Sequence, residues 1–214
     1  MDAPRLGDWE ATIAKHVRQC AAADVAHDVS HVERVVRNAR RLAAIEHANL
    51  AVVVPAAWLH DVVSVPKDSP KRAAASMLAA AHATQFLREV GFPEAFIADV
   101  AHAIEAHSFS AAIEPRTLEA KVVQDADRLE ALGAIGVARC FATTGAMGRP
   151  LYCADDPFAT ARPLDDRQYA LDHFEAKLFR VAESLRTDAG RAEGRQRADF
   201  LRAFVTQLRS EIEA

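Results

Sequence analysis

The adjacent pair His60-Asp61 closes an apolar run, AAWLHD. A neutral imidazole nitrogen beside a hard anionic oxygen suits a divalent transition metal or Mg²⁺. Neighbouring positions on a helix point about 100° apart, so both reach one ion only where the helix ends, and the Pro-rich stretch that follows provides such an end. Taken alone, a His-Asp pair of this kind more often caps a helix C-terminus. His31, in DVSHVERVVRNARRLA, aligns with Val35 and Leu42 on a core-facing stripe. By itself it reads as a buried histidine satisfied by a backbone carbonyl.

In KVVQDADRLEALGAIGVAR, two aspartates and an arginine interrupt an otherwise apolar helix. Acids buried on such a helix need a cation, a hydrogen-bond network or water. Asp125 and Asp127 diverge by about 200° around the axis and cannot serve one ion in the same way. Asp125 shares a face with Leu129 and Leu132, Asp127 with Ala131 and Ala134. Spacing alone leaves either acid free to pair with Arg128 or with a neighbouring helix.

The order His31, then His60-Asp61, then Ala-Asp-Arg-Leu at 126–129 resembles the H…HD…D pattern of the HD superfamily of metal-dependent phosphohydrolases. The likeness runs from Asp28 to Arg139. HAIEAHSFS, DADRLEALGAIGVAR, DDPF and ALDHFEAKL extend it towards a bacterial subgroup of small HD-domain proteins. The resemblance implies an all-α, compact HD-domain helical bundle with additional C-terminal helices. It also implies a metal held by His31, His60, Asp61 and Asp127; Asp125 is extra to the family pattern and is a candidate for orienting a ligand or a water.

Dinuclear members of the superfamily add two histidines. His107-Ser108 after Ile104 resembles one of these places, but SPKRAAAS holds no histidine at the other. The expectation is therefore one divalent ion, Mn, Mg, Ni, Co or Fe, with His107 touching a water or a substrate phosphate. Such an ion polarises a phosphoryl oxygen and lowers the pKa of its water, and Asp61 or Asp125 would take the proton of the attacking water. Candidate contacts to substrate are Arg34, Lys67, Lys71, Arg72 and Arg128, together with His173 and Lys177, which share a helix face at i, i+4. The resemblance points to a small phosphorylated metabolite, a nucleotide foremost. An iron-dependent oxygenase or a non-catalytic nucleotide-binding module is the alternative.

Helical periodicity has to position these groups, since strand alternation is almost absent. Helices are expected from Trp9 to Ala22 and from Ser30 to Ile45, with Ser30 and Glu33 at capping-box spacing. Further helices are expected after Pro55 to His60, from Lys71 to Val90, from Pro93 to His107, and from Pro115 to Phe141. A long ordered loop then covers 145–163, and two helices, 166–185 and 189–213, close the chain. One domain over 1–214 is expected, with its core at about 26–140 and a helical extension beyond.

The chain has 214 residues, half of them hydrophobic, which is enough for a sizeable core. A formal charge of −4 offers no surplus for a nucleic-acid backbone or an anionic membrane. Cys20, Cys140 and Cys153 are scattered, without CxxC or metal spacing, and read as reduced thiols of a cytoplasmic protein. No secretory leader or membrane span is expected. The apolar content of the C-terminal helices permits a homodimer.

Overall fold

The computed structural model describes residues 6–20, 29–63, 65 and 74–214. The protein is all-α, and the described residues contain no strand. They form two compact units divided between Asp127 and Arg128. The first carries α1 (Leu6–Cys20), α2 (Val29–Glu46), α3 (Leu50–Leu59), α4 (Ala75–Glu89), α5 (Glu94–His107) and α6 (Leu118–Arg128), the last of which ends at the division. The second carries α7 (Gly133–Ala146), α8 (Phe179–Glu183) and α9 (Asp188–Ile212).

In the first unit α3 is the central element. Every residue from Val52 to Leu59 is buried, as expected of a helix apolar on all sides. It packs against α1, α2 and α5. Trp58 anchors it by donating its indole N–H to Glu10 Oε1 on α1 at 3.0 Å, and Arg40 on α2 pairs with the same carboxylate.

The helix does not start after Pro55, as the proline suggests, but at Leu50. Asn49 caps it, with its side-chain oxygen accepting from the Ala51 N–H at 2.9 Å. Pro55 thus lies in the interior, at a cost of about 3 kcal/mol. Burial of Val52, Val53, Val54, Trp58 and Leu59, each contributing about 1.5 to 3 kcal/mol, outweighs that cost.

Two other boundaries differ from expectation. Ser30 is not a cap: α2 already includes Val29, and the Ser30 hydroxyl accepts from Arg34 Nη1 at 3.2 Å. The single helix expected from Pro115 to Phe141 is broken. α6 passes into a 3₁₀ turn, Leu129–Ala131, and the chain is extended at Leu132 before α7 begins. Gly133 makes that break possible with φ +67°, a region that favours glycine. Gly136 fixes it, because a Cβ there would meet the Ala131 carbonyl oxygen at 2.3 Å.

In the second unit α7 packs on α9 around the rings of Phe141, Phe174 and Phe204, whose centroids are 5.8 to 6.0 Å apart. Between Met147 and Leu171 the chain is irregular, longer than the loop read from the sequence. Carboxylates order it. Asp156 accepts from the amides of Thr160 and Ala161 and from the Thr160 hydroxyl at 2.8 to 2.9 Å. Buried Asp172 takes a bidentate Arg162 at 2.6 and 2.8 Å and the Asp165 amide at 2.7 Å. The helix expected from 166 begins only after this loop and opens with a π turn, Phe174–Leu178.

Asn49→Ala should lower stability by about 1 kcal/mol, read as a drop in the urea midpoint at unchanged slope. The 147–171 segment should also be acid-sensitive. Hydrogen bonds from the Ala161 and Thr160 amides depress the Asp156 carboxyl from 3.8 to about 2. Its contribution is therefore complete above the ordinary carboxylate value and lost as pH falls through about 2. Protection of the Thr160 and Ala161 amides, their exchange measured against the intrinsic rate at each pH, should fall over that window, and Asp156→Asn should abolish that loss.

Candidate metal centre

Four elements of the first unit bring side chains to one place. α2 contributes His31 near its N-terminal end, α3 contributes His60 and the following turn Asp61, α5 ends on His107, and α6 carries Asp127 one residue before its end. His60 keeps helical backbone angles as the cap of α3, and Asp61 lies in the turn beyond it. This is how consecutive residues face one point. Three of these helices contribute from their C-terminal ends, where the peptide dipoles favour a cation.

The imidazoles of His31, His60 and His107 are buried, whereas Asp61 and Asp127 keep 29 and 28% of their side-chain surface exposed. His31 and His60 meet edge to face at 5.6 Å between centroids, and His60 and His107 at 4.9 Å. Nε2 of His31 is 3.5 Å from Asp127 Oδ1. Nε2 of His60 is 3.6 Å from Asp61 Oδ2 and 3.9 Å from Asp127 Oδ1. Nε2 of His107 is 3.6 Å from Asp61 Oδ1. Ligand atoms of His31, His60 and Asp61 all lie within 4.8 Å of one another.

The tautomers follow from the other ring nitrogens. Nδ1 of His60 is 2.8 Å from the Ala57 carbonyl oxygen, and Nδ1 of His107 is 2.6 Å from that of Ile104. A carbonyl only accepts, so both Nδ1 atoms carry the proton. In a neutral ring Nε2 is then a bare lone pair. His60 Nε2 is fully buried and has no hydrogen-bond partner.

Burial above all, with His107 and His31 adding to it, holds His60 below the usual histidine value against the pull of Asp61 and Asp127. Burial opposes the charged form of Asp127 too, but the imidazoles of His31, His60 and His107 outweigh it and hold that carboxyl well below the carboxylate range. For His107, burial is overcome by Asp61, and its value is raised. An acceptor nitrogen therefore faces ionised acceptor oxygens, an arrangement that a cation between them satisfies. The donor set, imidazole nitrogen with carboxylate oxygen, fits a divalent ion.

The remaining sequence candidates are placed as follows. Asp125 has no exposed surface, and it is Asp127 whose oxygen stands beside His31 and His60. Lys67, Lys71 and Arg72 lie outside the described residues. Arg128 Nη1 donates to the carbonyl and hydroxyl oxygens of Ser184 at 2.8 and 3.1 Å. In the second unit His173 and Lys177 converge on Asp166 Oδ2, each at 3.2 Å. His102 Nε2 accepts from the Arg116 amide at 3.0 Å, a structural contact.

One positioning group escaped the sequence reading. Buried Gln124 donates from Nε2 to the Ala106 carbonyl at 2.6 Å and so ties α6 to the turn of α5 that presents His107. Its only sequence signal is an amide set within the apolar stretch KVVQ.

Comparison with known proteins bears on the family and the fold. Residues 28–132 match the HD domain family. The chain is 35% identical to the Bacillus subtilis protein YpgQ over 190 residues, covering 87% of this chain and 84% of YpgQ. The structure of B. subtilis YpgQ in complex with ADP superposes with a TM-score of 0.75 at 30% identity, covering 97% of this chain and 98% of that one. An HD-superfamily hydrolase from Bacillus thuringiensis gives a TM-score of 0.76 at 30% identity with the same coverage. A match over the stretch that carries all five converging residues, and a fold shared along nearly the whole length, lead to one assignment: the chain belongs to the HD-domain superfamily.

Proposed function

We propose that this protein is a metal-dependent phosphohydrolase that cleaves a phosphate ester or anhydride of a small metabolite, a nucleotide foremost. The observation that carries this reading is the buried, unpartnered Nε2 of His60 facing two carboxylates. His31, His60, Asp61 and Asp127 would hold one divalent ion, and their mixed nitrogen and oxygen donors suit Mn²⁺, Co²⁺, Ni²⁺, Fe²⁺ or Mg²⁺. When bound, the ion supplies Lewis-acid polarisation of a phosphoryl oxygen and makes water more acidic.

The chain's own groups complete the reaction. Asp61 is partly exposed, so a water approaching phosphorus can pass its proton to this carboxylate. Asp125, sealed from solvent, suits orientation of neighbouring groups rather than proton exchange with water. His107 presents Nε2 beside Asp61 and is suited to meet that water or a phosphoryl oxygen. Lys71 and Arg72, which follow the His-Asp pair in the sequence, are the cations proposed for the substrate phosphates. Arg128, His173 and Lys177 are proposed as further contacts to the substrate. ADP in a YpgQ structure supports a nucleotide as the ligand class.

Phosphate and pyrophosphate release, read separately over a panel of nucleotides with Mn²⁺, Co²⁺, Ni²⁺ and Mg²⁺, tests the reading. Turnover should require added metal and be abolished by a chelator. His60→Ala and Asp61→Asn should each lower kcat/KM by at least about a hundredfold and lose bound metal, since even groups that only support a ligand are worth about 10 to 100-fold. Nucleotide binding without turnover, unchanged in both variants, would replace the enzyme with a binding module.

A further inference from the structure

Among the described residues a second trio of side chains can hold a metal ion: His16, Cys20 and His82, whose ligand atoms all lie within 4.8 Å of one another. His16 and Cys20 are four residues apart on α1, which puts them on one helix face, and His82 comes from the middle of α4. Nε2 of His16 is 2.8 Å from Nε2 of His82 and 3.7 Å from Cys20 Sγ.

The rings are held in place. His16 stacks on Phe86 at 3.8 Å between centroids and 11° between planes, and on His82 at 5.1 Å and 20°. The stack on Phe86 turns Nε2 of His16 towards the other two donors. His16 and His82 are partly buried, and Cys20 is exposed, so the trio opens to solvent on the thiol side.

The donor chemistry differs from that at His60. Two imidazole nitrogens and one sulfur, with no carboxylate in the trio, are a borderline-soft set that selects Zn²⁺ over Mg²⁺ or Ca²⁺. Zn–N and Zn–S bonds of about 2.0 to 2.3 Å put tetrahedral ligand atoms about 3.3 to 3.7 Å apart. The His16–Cys20 separation already matches. The two imidazoles would move apart by roughly half an ångström, within the freedom of partly exposed side chains.

We propose that His16, Cys20 and His82 form a Zn²⁺ site that clips the C-terminal end of α1 to α4, with a fourth position open to water. On binding, the Cys20 S–H bond breaks and its proton goes to solvent, the proton held between the two Nε2 atoms moves by way of solvent to the Nδ1 of the same ring, and the electron pairs of the sulfur and both Nε2 atoms join the metal. No redox partner is needed. A plain N–H···N hydrogen bond between the imidazoles is the competing account, and it assigns Cys20 no part.

Cobalt distinguishes the two. The full chain carrying His60→Ala should bind one Co²⁺ with a thiolate-to-cobalt charge-transfer absorption, which Zn²⁺ displaces. Adding Cys20→Ser should remove that absorption and weaken binding at least about tenfold, and His82→Gln should do the same. Cys20→Ser alone, at an exposed position, should keep the circular dichroism of the parent and its turnover. Zn²⁺ should raise the Tm of the parent more than that of Cys20→Ser. Absence of the charge-transfer band, or its survival in Cys20→Ser through Cys140 or Cys153, overturns the proposal. Neither result bears on the phosphohydrolase reading, whose ligands lie elsewhere in the sequence.

Discussion

The Nδ1 proton of His60 is committed to the Ala57 carbonyl, and that bond turns a bare Nε2 lone pair inward, towards Asp61 and Asp127. Leaving such a nitrogen buried and unpaired costs about 1 to 3 kcal/mol. The neighbouring carboxylates make matters worse, since ionised oxygens cannot donate to it. A cation reverses every sign at once, because nitrogen and oxygen lone pairs become ligands and the carboxylate charges are compensated. The rest of the first unit holds this unfavourable arrangement rigid. α3 is buried along its length, its tryptophan is tied to Glu10, and the backbone carbonyls one turn back fix both His60 and His107. Folding energy from the apolar helices thus pre-organises a polar cluster that could not assemble by itself.

Part of this was legible in the sequence. His31, the His60-Asp61 pair and the acids at 125 and 127 each have an ordinary structural reading, and it is their order, through its resemblance to the HD pattern, that singles out the groups the structure brings together. The helical period separated Asp125 from Asp127 but could not choose between them. The choice depends on which face of α6 meets α2 and α3, a tertiary fact that no local spacing encodes. In the structure Asp127 faces the imidazoles, while Asp125 is sealed in the interior.

Element boundaries depart from local preference for the same reason. Proline disfavours a helix interior, and the burial of α3 overrides that preference. The apolar period continues through 115–141, as it would in one helix, but Gly133 and Gly136 permit a turn that lets the chain change direction. His16 and Cys20 carry little sequence signal for a simpler reason. Spacing among the cysteines is uninformative here, because the partner of Cys20 is a histidine one helical turn earlier and the third member arrives from another helix.

Two clusters in one helical unit raise the question of how each would take its own ion, and donor softness provides an answer. Late transition metals bind most nitrogen and oxygen sites more tightly than Mn²⁺ or Mg²⁺ do, so a site built of imidazole and carboxylate is exposed to capture by Zn²⁺. Sulfur changes the ranking. A thiolate favours Zn²⁺ and gives little to Mg²⁺ or Mn²⁺, so His16, Cys20 and His82 would fill first with the softer ion while the cluster around His60 stays available to the harder one. The carboxylates at 61 and 127 contribute charge without softness, and the cysteine at 20 contributes softness without a fixed charge. Side-chain chemistry thus supplies one part of the sorting, and geometry and the availability of each metal supply the rest.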